Sequence, residues 1–460
     1  METEVMREEL NNSLGKILKF AGCDEKLEEN FRLTIAAYRK LSDKTSREDQ
    51  AVLLRRRLSE LFYKVYKAAF KAVIKEGNVP VLVSMFLNFG YVDEELAGIE
   101  NAVYLYLLSV NLPTDPGRGV YSFFQWLMAI YRGKKEPSRN EFDMDFREYL
   151  HEQKKMGRIS PQQEASLLEN NMSKVIFEIE NVFPSINKLT FGQPSVFCPV
   201  FSRHNVYKSL TSDLVTAEKV TAEIEGIRSK DFKAFYRENL LSLPERKLPE
   251  RIEVEVLPDI ILLPNIGSRS IMWQEIEGKK RTTPARMMCS VFHTTDLQQS
   301  ILHMTGEFRW EMCKRDQGGR WNNIADPSLT SEYYDYIQFY RKNKELSPEV
   351  RERIKTQLTK ARNNYKEMFV TDYIQWIRYE SNGLPRLNKV ARNILFAYCP
   401  FPKEIRTKIG TNPLYKQAAD RYDIKNGQTL HRITLLCKKL ENSPGGVPQE
   451  IAAYKEYLES

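Results

Sequence analysis

Apolar residues recur at steps of three and four along most of this chain, the spacing that lines one face of an α-helix. Met6, Leu10, Leu14, Ile17 and Leu18 form one such stripe. Leu58, Leu61, Phe62, Val65, Ala69 and Val73 form a second, with Lys and Arg filling its other positions. Both predict amphipathic helices. The polar stretch 41–49 joins them and offers Thr45 or Ser46 as an N-cap ahead of the acidic Glu48 and Asp49. Gly77-Asn78-Val79-Pro80 stops the second helix, and a new one begins at Val81. The apolar run 104–110 ends at Asn111-Leu112-Pro113-Thr114-Asp115-Pro116-Gly117, residues that cannot continue a helix. Residues 132–163 turn polar and predict a long charged helix or a linker. Residues 183–210 carry Pro184, Pro194 and Pro199 among aromatics, which predicts loop with short extended pieces.

A strand signal follows. Ile252, Val254 and Val256 alternate with Glu253 and Glu255 until Pro258, and a second short run, Ile260 to Leu263, closes at Pro264. A lone two-stranded hairpin is marginal in water, so these runs predict a small sheet resting on helices. Ser347 is a good N-cap with Pro348 at the first helical position, and Val350, Ile354, Leu358, Ala361, Tyr365 and Phe369 predict one long amphipathic helix behind it. Asn382-Gly383-Leu384-Pro385 ends that helix. Leu387, Val390, Ile394 and Leu395 start the next, which Pro400 and Pro402 break. Asn412-Pro413 opens a helix that Asn426-Gly427 closes, and Leu430, Ile433, Leu436 and Leu440 make one more. The expected fold is mainly α, a multi-helix array with a small β element near 250–275. Its expected parts are an N-terminal helical domain (1–180), a mixed region of short strands and loops (181–330) and a basic C-terminal helical domain (331–460).

Composition narrows the class without naming a function. The 460 residues include 21 Gly, 21 Pro and 6 Cys, which excludes collagen, low-complexity disorder and a disulfide scaffold. The cysteines are scattered with no CxxC pair and predict buried free thiols. Mean hydropathy is −0.49 and no apolar run approaches the roughly 20 residues a membrane helix needs, so no membrane association is expected. The start Met1-Glu2-Thr3-Glu4 lacks an apolar secretory core, which makes the cytoplasm the expected location. Net charge is +8, and residues 341–410 alone hold 16 Lys+Arg against 7 Asp+Glu. The basic excess therefore lies in the C-terminal part. With Tyr365, Tyr373, Trp376 and Tyr379 interleaved, it could serve phosphate contact and base stacking, or simply solvate the outer faces of packed helices.

Three clusters are candidates for chemistry. His303 and Glu307, four apart, share a helix face, and with Arg309 and Trp310 they form the densest group of reactive side chains. Arg320 and Trp321 extend it to a candidate pocket of stacking and forked hydrogen bonds, although such residues also make good helix joints. His293, Asp296 and Cys313 lie near in sequence, but HExxH spacing and paired Cys ligands are absent, so no metal and no cofactor is expected. Walker, GxGxxG, GxSxG and kinase patterns are absent as well. Finally, Ala418-Ala419-Asp420-Arg421-Tyr422-Asp423-Ile424 followed by Thr429-Leu430-His431-Arg432-Ile433 resembles a bacterial helix-turn-helix, which would turn Gln428, Thr429 and Arg432 toward DNA.

The segments Met85-Phe86-Leu87-Asn88-Phe89-Gly90-Tyr91-Val92-Asp93-Glu94, Phe308-Arg309-Trp310-Glu311 and Arg386-Leu387-Asn388-Lys389 resemble those of an uncharacterised group of bacterial helical proteins, some of whose members carry a cyclic-nucleotide-binding domain. The likeness spans much of residues 50–420. This chain has no glycine-punctuated run of β-roll strands, and Gly306-Glu307 is not followed by the Arg-Ser/Thr-Ala that clamps a cyclic phosphate, so the resemblance carries no ligand residue across. The expectation is a non-enzymatic cytoplasmic regulatory or scaffolding protein whose partner is another protein or a second copy. The alternatives are a nucleic-acid-binding protein using the C-terminal helices, and an enzyme with a site near 303–310.

Overall fold

Helices dominate the structure, a computed structural model that describes residues 7–44, 46, 48–112, 119–140, 142, 144–189, 199–206, 208–242, 250–267, 270–274, 285–442 and 445–459. The fold is mainly α with small β elements, as expected. The chain divides into two compact units. The first holds residues 1–220, 259–274 and 286–297, and the second holds 221–258, 275–285 and 298–460. This departs from the three-part expectation of 1–180, 181–330 and 331–460, because the middle region is shared between the units.

Sheet pairing explains the division of the middle region. In the first unit Val120–Ser122, Asp259–Gly267, Arg286–His293 and Ser270–Gln274 form a four-stranded sheet in that spatial order. Its first two pairings are parallel, and only the last is antiparallel. Parallel pairing needs long crossovers, so strands far apart in sequence are recruited to one sheet. Asp259–Gly267 runs on past Pro264, with its register shifting between Leu263 and Ile266; proline is tolerated at such an irregularity. Arg286–His293 is buried at every position, which erases the alternation that would have announced it. The alternating run 252–256 pairs elsewhere. Glu250–Glu255 is antiparallel to Tyr236–Leu241, and both belong to the second unit.

In the first unit the helices Asp49–Glu76 and Val81–Phe89 bury the apolar stripes read from the sequence, and Val81–Phe89 packs on the sheet. Gly90 follows at φ 86°, where a side chain would meet the carbonyl oxygens of Pro199 and Pro264 at 2.6 and 2.7 Å. The Phe89-Gly90-Tyr91 segment is thus a close backbone crossing. Glu178 is fully buried and accepts three hydrogen bonds, from Trp126 Nε1 (2.7 Å), Ser138 N (2.6 Å) and Ser138 Oγ (2.7 Å).

Several helix boundaries differ from expectation. The first stripe is split into 7–10 and Ser13–Ala21 by Asn12 at φ 54°. Residues 132–163 hold no long helix. Phe146–Lys155 starts on an Asp145/Glu148 capping box, and Ser160-Pro161 opens Pro161–Glu169 in the same way. Asn171–Leu189 continues through Pro184 despite the proline-rich reading of 183–210, of which 190–198 lie outside the described residues, as do Thr45 and 113–118. The long stripe from Val350 to Phe369 is two helices, Pro348–Lys360 and Tyr365–Arg378, because Arg362 and Asn363 adopt left-handed backbone. Ser347 caps as the sequence indicates, and Asn388 caps Lys389–Tyr398.

The helix-turn-helix reading is corrected. Pro413–Leu440 is one continuous helix of 28 residues, so Asn426-Gly427 makes no turn and Gln428, Thr429 and Arg432 lie on no recognition helix. Asn-Gly is a strong turn signal only where the flanking apolar surfaces must separate. Here Tyr415, Ala418 and Tyr422 before it, and Ile433, Leu436 and Leu440 after it, are all buried along one helix. A Cβ on Gly427 would meet nothing within 4 Å. Gly427→Ala is therefore expected to stabilise the protein by about 0.5–1 kcal/mol, read as a raised midpoint in thermal circular dichroism. A lowered midpoint would restore the turn.

Candidate functional site

A cavity of about 310 Å³ opens within the second unit, lined by polar, charged and aromatic side chains. The hairpin supplies Lys233, Tyr236 and Glu253; the helix Leu297–Gln317 supplies Arg309, Met312 and Cys313; Pro413–Leu440 supplies Tyr422 and Thr429; Gln449–Glu459 supplies Tyr454 and Tyr457. Each element is placed by an apolar face. Ile252, Ile433, Leu436, Leu440, Ile451 and Leu458 form one buried cluster, against which Phe232, Tyr236 and Val254 pack. That cluster brings the last helix and the hairpin together, and so stacks Tyr457 on Tyr236, with ring centres 4.0 Å apart at 16°.

Arg309 forms the floor, with its side chain 10% exposed. Its Nε lies 3.5 Å from Asp231 Oδ2. Nη1 donates to the Lys233 carbonyl (2.6 Å), and Nη2 donates to the Tyr398 carbonyl and lies 3.2 Å from Cys399 Sγ. Tyr373 donates to the same Asp231 oxygen at 2.9 Å. Burial lowers the proton affinity of Arg309, but the Asp231 carboxylate beside it outweighs that effect and holds its pKa well above the ordinary value. Burial pushes the Asp231 carboxyl up against the pull of Arg309 and Tyr373. Burial also pushes the Cys399 thiol up to about 12, far from nucleophilic.

Lys233 forms the wall. Its Nζ lies 3.2 Å from Glu253, and 5.3 and 6.0 Å from the ring centres of Tyr457 and Tyr422. Burial would raise the Glu253 carboxyl, yet Lys233, Tyr457 and Arg309 hold it below its ordinary range. The Tyr422 hydroxyl is buried with no hydrogen-bond partner among the described residues.

The six pocket residues expected from sequence do not converge. His303 and Glu307 face Lys366 and Glu367: His303 Nε2 is 3.4 Å from Glu367, its Nδ1 is 3.7 Å from Glu307, and Lys366 is 3.6 Å from Glu307. Arg309 follows Glu307 by about 200° of helix rotation and points to the cavity instead, so density in sequence did not become convergence in space. Trp310 is buried against Phe369 (5.6 Å), Tyr333 and Trp321. Trp321 meets Tyr334 edge-on, and Arg320 is exposed, 3.9 Å from Asp326. Of the residues expected to face DNA, Thr429 lines the cavity, Gln428 is exposed, and Arg432 is ion-paired with Glu250 of the hairpin. The basic excess is partly spent internally as well. Arg392 pairs with buried Glu380 at 2.8 Å, and Arg406 with Asp423 at 3.0 Å.

Sequence reasoning missed Lys233, Tyr422, Tyr454 and Tyr457, and it treated Glu253 only as the polar phase of a strand. The Tyr454/Tyr457 spacing, one helical turn, was the available signal. A larger hollow of about 570 Å³ in the first unit offers less, since its arginines are already paired: Arg32 with Glu28 at 2.7 Å, and Arg39 with Asp93 and with Glu95 at 2.9 Å.

The His303 group generates a pH prediction. Burial lowers the pKa of His303, but Glu367 and Glu307 outweigh it and raise the value above 6.5. The hydrogen bond from His303 holds Glu367 below its ordinary range. A histidine raised in the folded state contributes stability fully below pH 6.5, and this is lost as pH rises through the folded value. Urea denaturation should therefore show the native chain losing stability from pH 6 to 8.5, and His303→Gln should flatten that slope. An unchanged slope would remove His303 as its source.

Comparison with known proteins adds a boundary rather than an activity. A family described as a domain of unknown function (DUF8509) matches residues 318–457, wholly inside the second unit. No curated protein and no solved structure matches the chain.

Proposed function

We propose that this chain is a non-enzymatic regulatory protein of the cytoplasm, whose second unit takes up a small molecule in the tyrosine-lined cavity. The observation that carries this reading is the contrast between floor and walls. The most reactive groups at the cavity, Arg309 and its neighbours Asp231 and Cys399, are tied into the fold, while the walls offer stacking faces and a buried hydroxyl without a partner. The lining combines aromatic rings with many polar and charged side chains, and the volume falls at the small end of the range for ligand sites. Catalysis asks instead for a nucleophile or base held ready beside its activating partner. The free thiols Cys23, Cys289, Cys313, Cys399 and Cys437 support a reducing compartment, and no described helix is long and apolar enough to cross a membrane. A protein partner, another chain or a second copy, belongs to the same reading. The exposed Tyr104, Leu107 and Val110 on Ile99–Val110 of the first unit support it.

A metabolite screen by thermal shift tests the proposal. A compound at a hundred times its Kd stabilises the folded state by about 2.7 kcal/mol, a shift of several degrees. A true occupant should also slow alkylation of Cys313, which lines the cavity and is partly exposed. Ala397→Trp, at an exposed position on the cavity lining, should abolish both effects. Compounds that shift the Trp variant as much as the native chain, without protecting Cys313, would refute the reading.

A further inference from the structure

The polar groups around the cavity are unequally satisfied. The acceptor side is already served: Glu253 has Lys233 at 3.2 Å, and Asp231 behind the floor has Arg309 and Tyr373. The donor side is not. Lys233 carries three N–H donors, of which Glu253 takes one at 3.2 Å, and its side chain keeps 18% of its surface exposed. The Tyr422 hydroxyl, on a residue 7% exposed, has no partner at all among the described residues. A buried hydroxyl left unpaired is destabilising, and an acceptor brought to it would relieve that cost. Lys233 stands over the faces of Tyr457 and Tyr422, so the unfilled donors adjoin the aromatic wall.

We infer that the occupant of this cavity is a compact, flat monocarboxylic acid, its carboxylate held by Lys233 Nζ and the Tyr422 hydroxyl and its body lying against Tyr454 and Tyr457. This rests on the small-molecule reading above and narrows it. A carboxylate supplies the acceptors that the site lacks. A positively charged group would compete with Lys233 for Glu253 and for the same ring faces. A doubly charged phosphate would face Glu253 and Asp316, which share the cavity lining. The stacked tyrosines, with the Tyr454 and Tyr457 ring centres 5.8 Å apart at 22°, present a surface for a planar body.

The test uses the full chain and three probes of one shape: 2-naphthoate, the neutral 2-naphthamide and the cationic 2-naphthylmethylamine. Titration calorimetry gives affinity, and Cys313 alkylation reports whether the cavity is filled. The naphthoate should bind at least tenfold more tightly than either relative. Lys233→Gln combined with Glu253→Gln removes both members of the ion pair and leaves no unpaired charge. It should erase the preference for the naphthoate while the amide still protects Cys313. Tyr422→Phe removes a hydroxyl that bonds nothing in the free protein, so stability should hold or rise while naphthoate affinity falls several-fold. Equal binding of amide and carboxylate with Cys313 protected would overturn the acid inference and leave the small-molecule reading standing. An undiminished preference in the double variant would overturn it as well. If no probe binds or protects Cys313, the acid inference is lost, and the wider reading then stands or falls on the metabolite screen.

Discussion

A guanidinium held inside a protein needs acceptors and a counter-charge there, and Arg309 finds them on groups from separate stretches of the second unit. Asp231 and the Lys233 carbonyl come from the approach to the hairpin, and the Tyr398 carbonyl and Cys399 sulfur from the end of the helix Lys389–Tyr398. Trp376 donates to the Cys399 carbonyl at 2.8 Å and stacks on Phe401 at 4.1 Å, so the same junction is fastened from its far side. Removing one member of such a pair leaves a buried charge without its partner, which costs about 3–5 kcal/mol. The cavity sits on this junction. Its floor is therefore as rigid as the fold.

Charge is used in this way elsewhere too. Glu380 is fully buried and accepts the backbone N–H groups of Arg386 and Leu387 at 2.6 and 2.7 Å together with Arg392 Nε at 2.8 Å. It thereby fixes the chain reversal that Asn382-Gly383-Leu384-Pro385 announces. Glu178 does the equivalent for the first unit, joining Trp126 to Ser138. Apolar stripes decide which faces of the helices turn inward. These saturated carboxylates decide how the connections between helices are held, because an incompletely bonded carboxylate could not be buried at all.

That division of labour explains what the sequence made legible. Period and caps were readable because they are local: Ser347-Pro348, Gly77 and the buried stripe of Asp49–Glu76 all act within a few residues. Arg286–His293 was not, since it is buried at every position and shows no alternation, and the run Ile260 to Leu263 was read without its parallel partner Val120–Ser122, which lies far earlier in the chain. The Asn426-Gly427 signal failed for the opposite reason. It is a strong local preference, overridden by buried residues on both sides of it along one helix. At the site, Arg309 was singled out but given the wrong companions. Its partners Asp231, Lys233 and Tyr398 are 76 to 89 residues away, and no spacing rule links them. The aromatic wall was invisible because a tyrosine packed in a core and a tyrosine lining a cavity look alike in sequence.

The wall also couples occupancy to structure. Tyr454 and Tyr457 touch the cavity and belong at the same time to the apolar cluster that seats the final helix, Gln449–Glu459, on the hairpin and on Pro413–Leu440. Phe232 and Tyr236 pack on Tyr457 from the hairpin, at 5.3 and 4.0 Å. A molecule lying against these rings makes its contacts only while that helix is seated, so its binding free energy adds to the seating of the helix, and loosening of the helix weakens binding by the same amount.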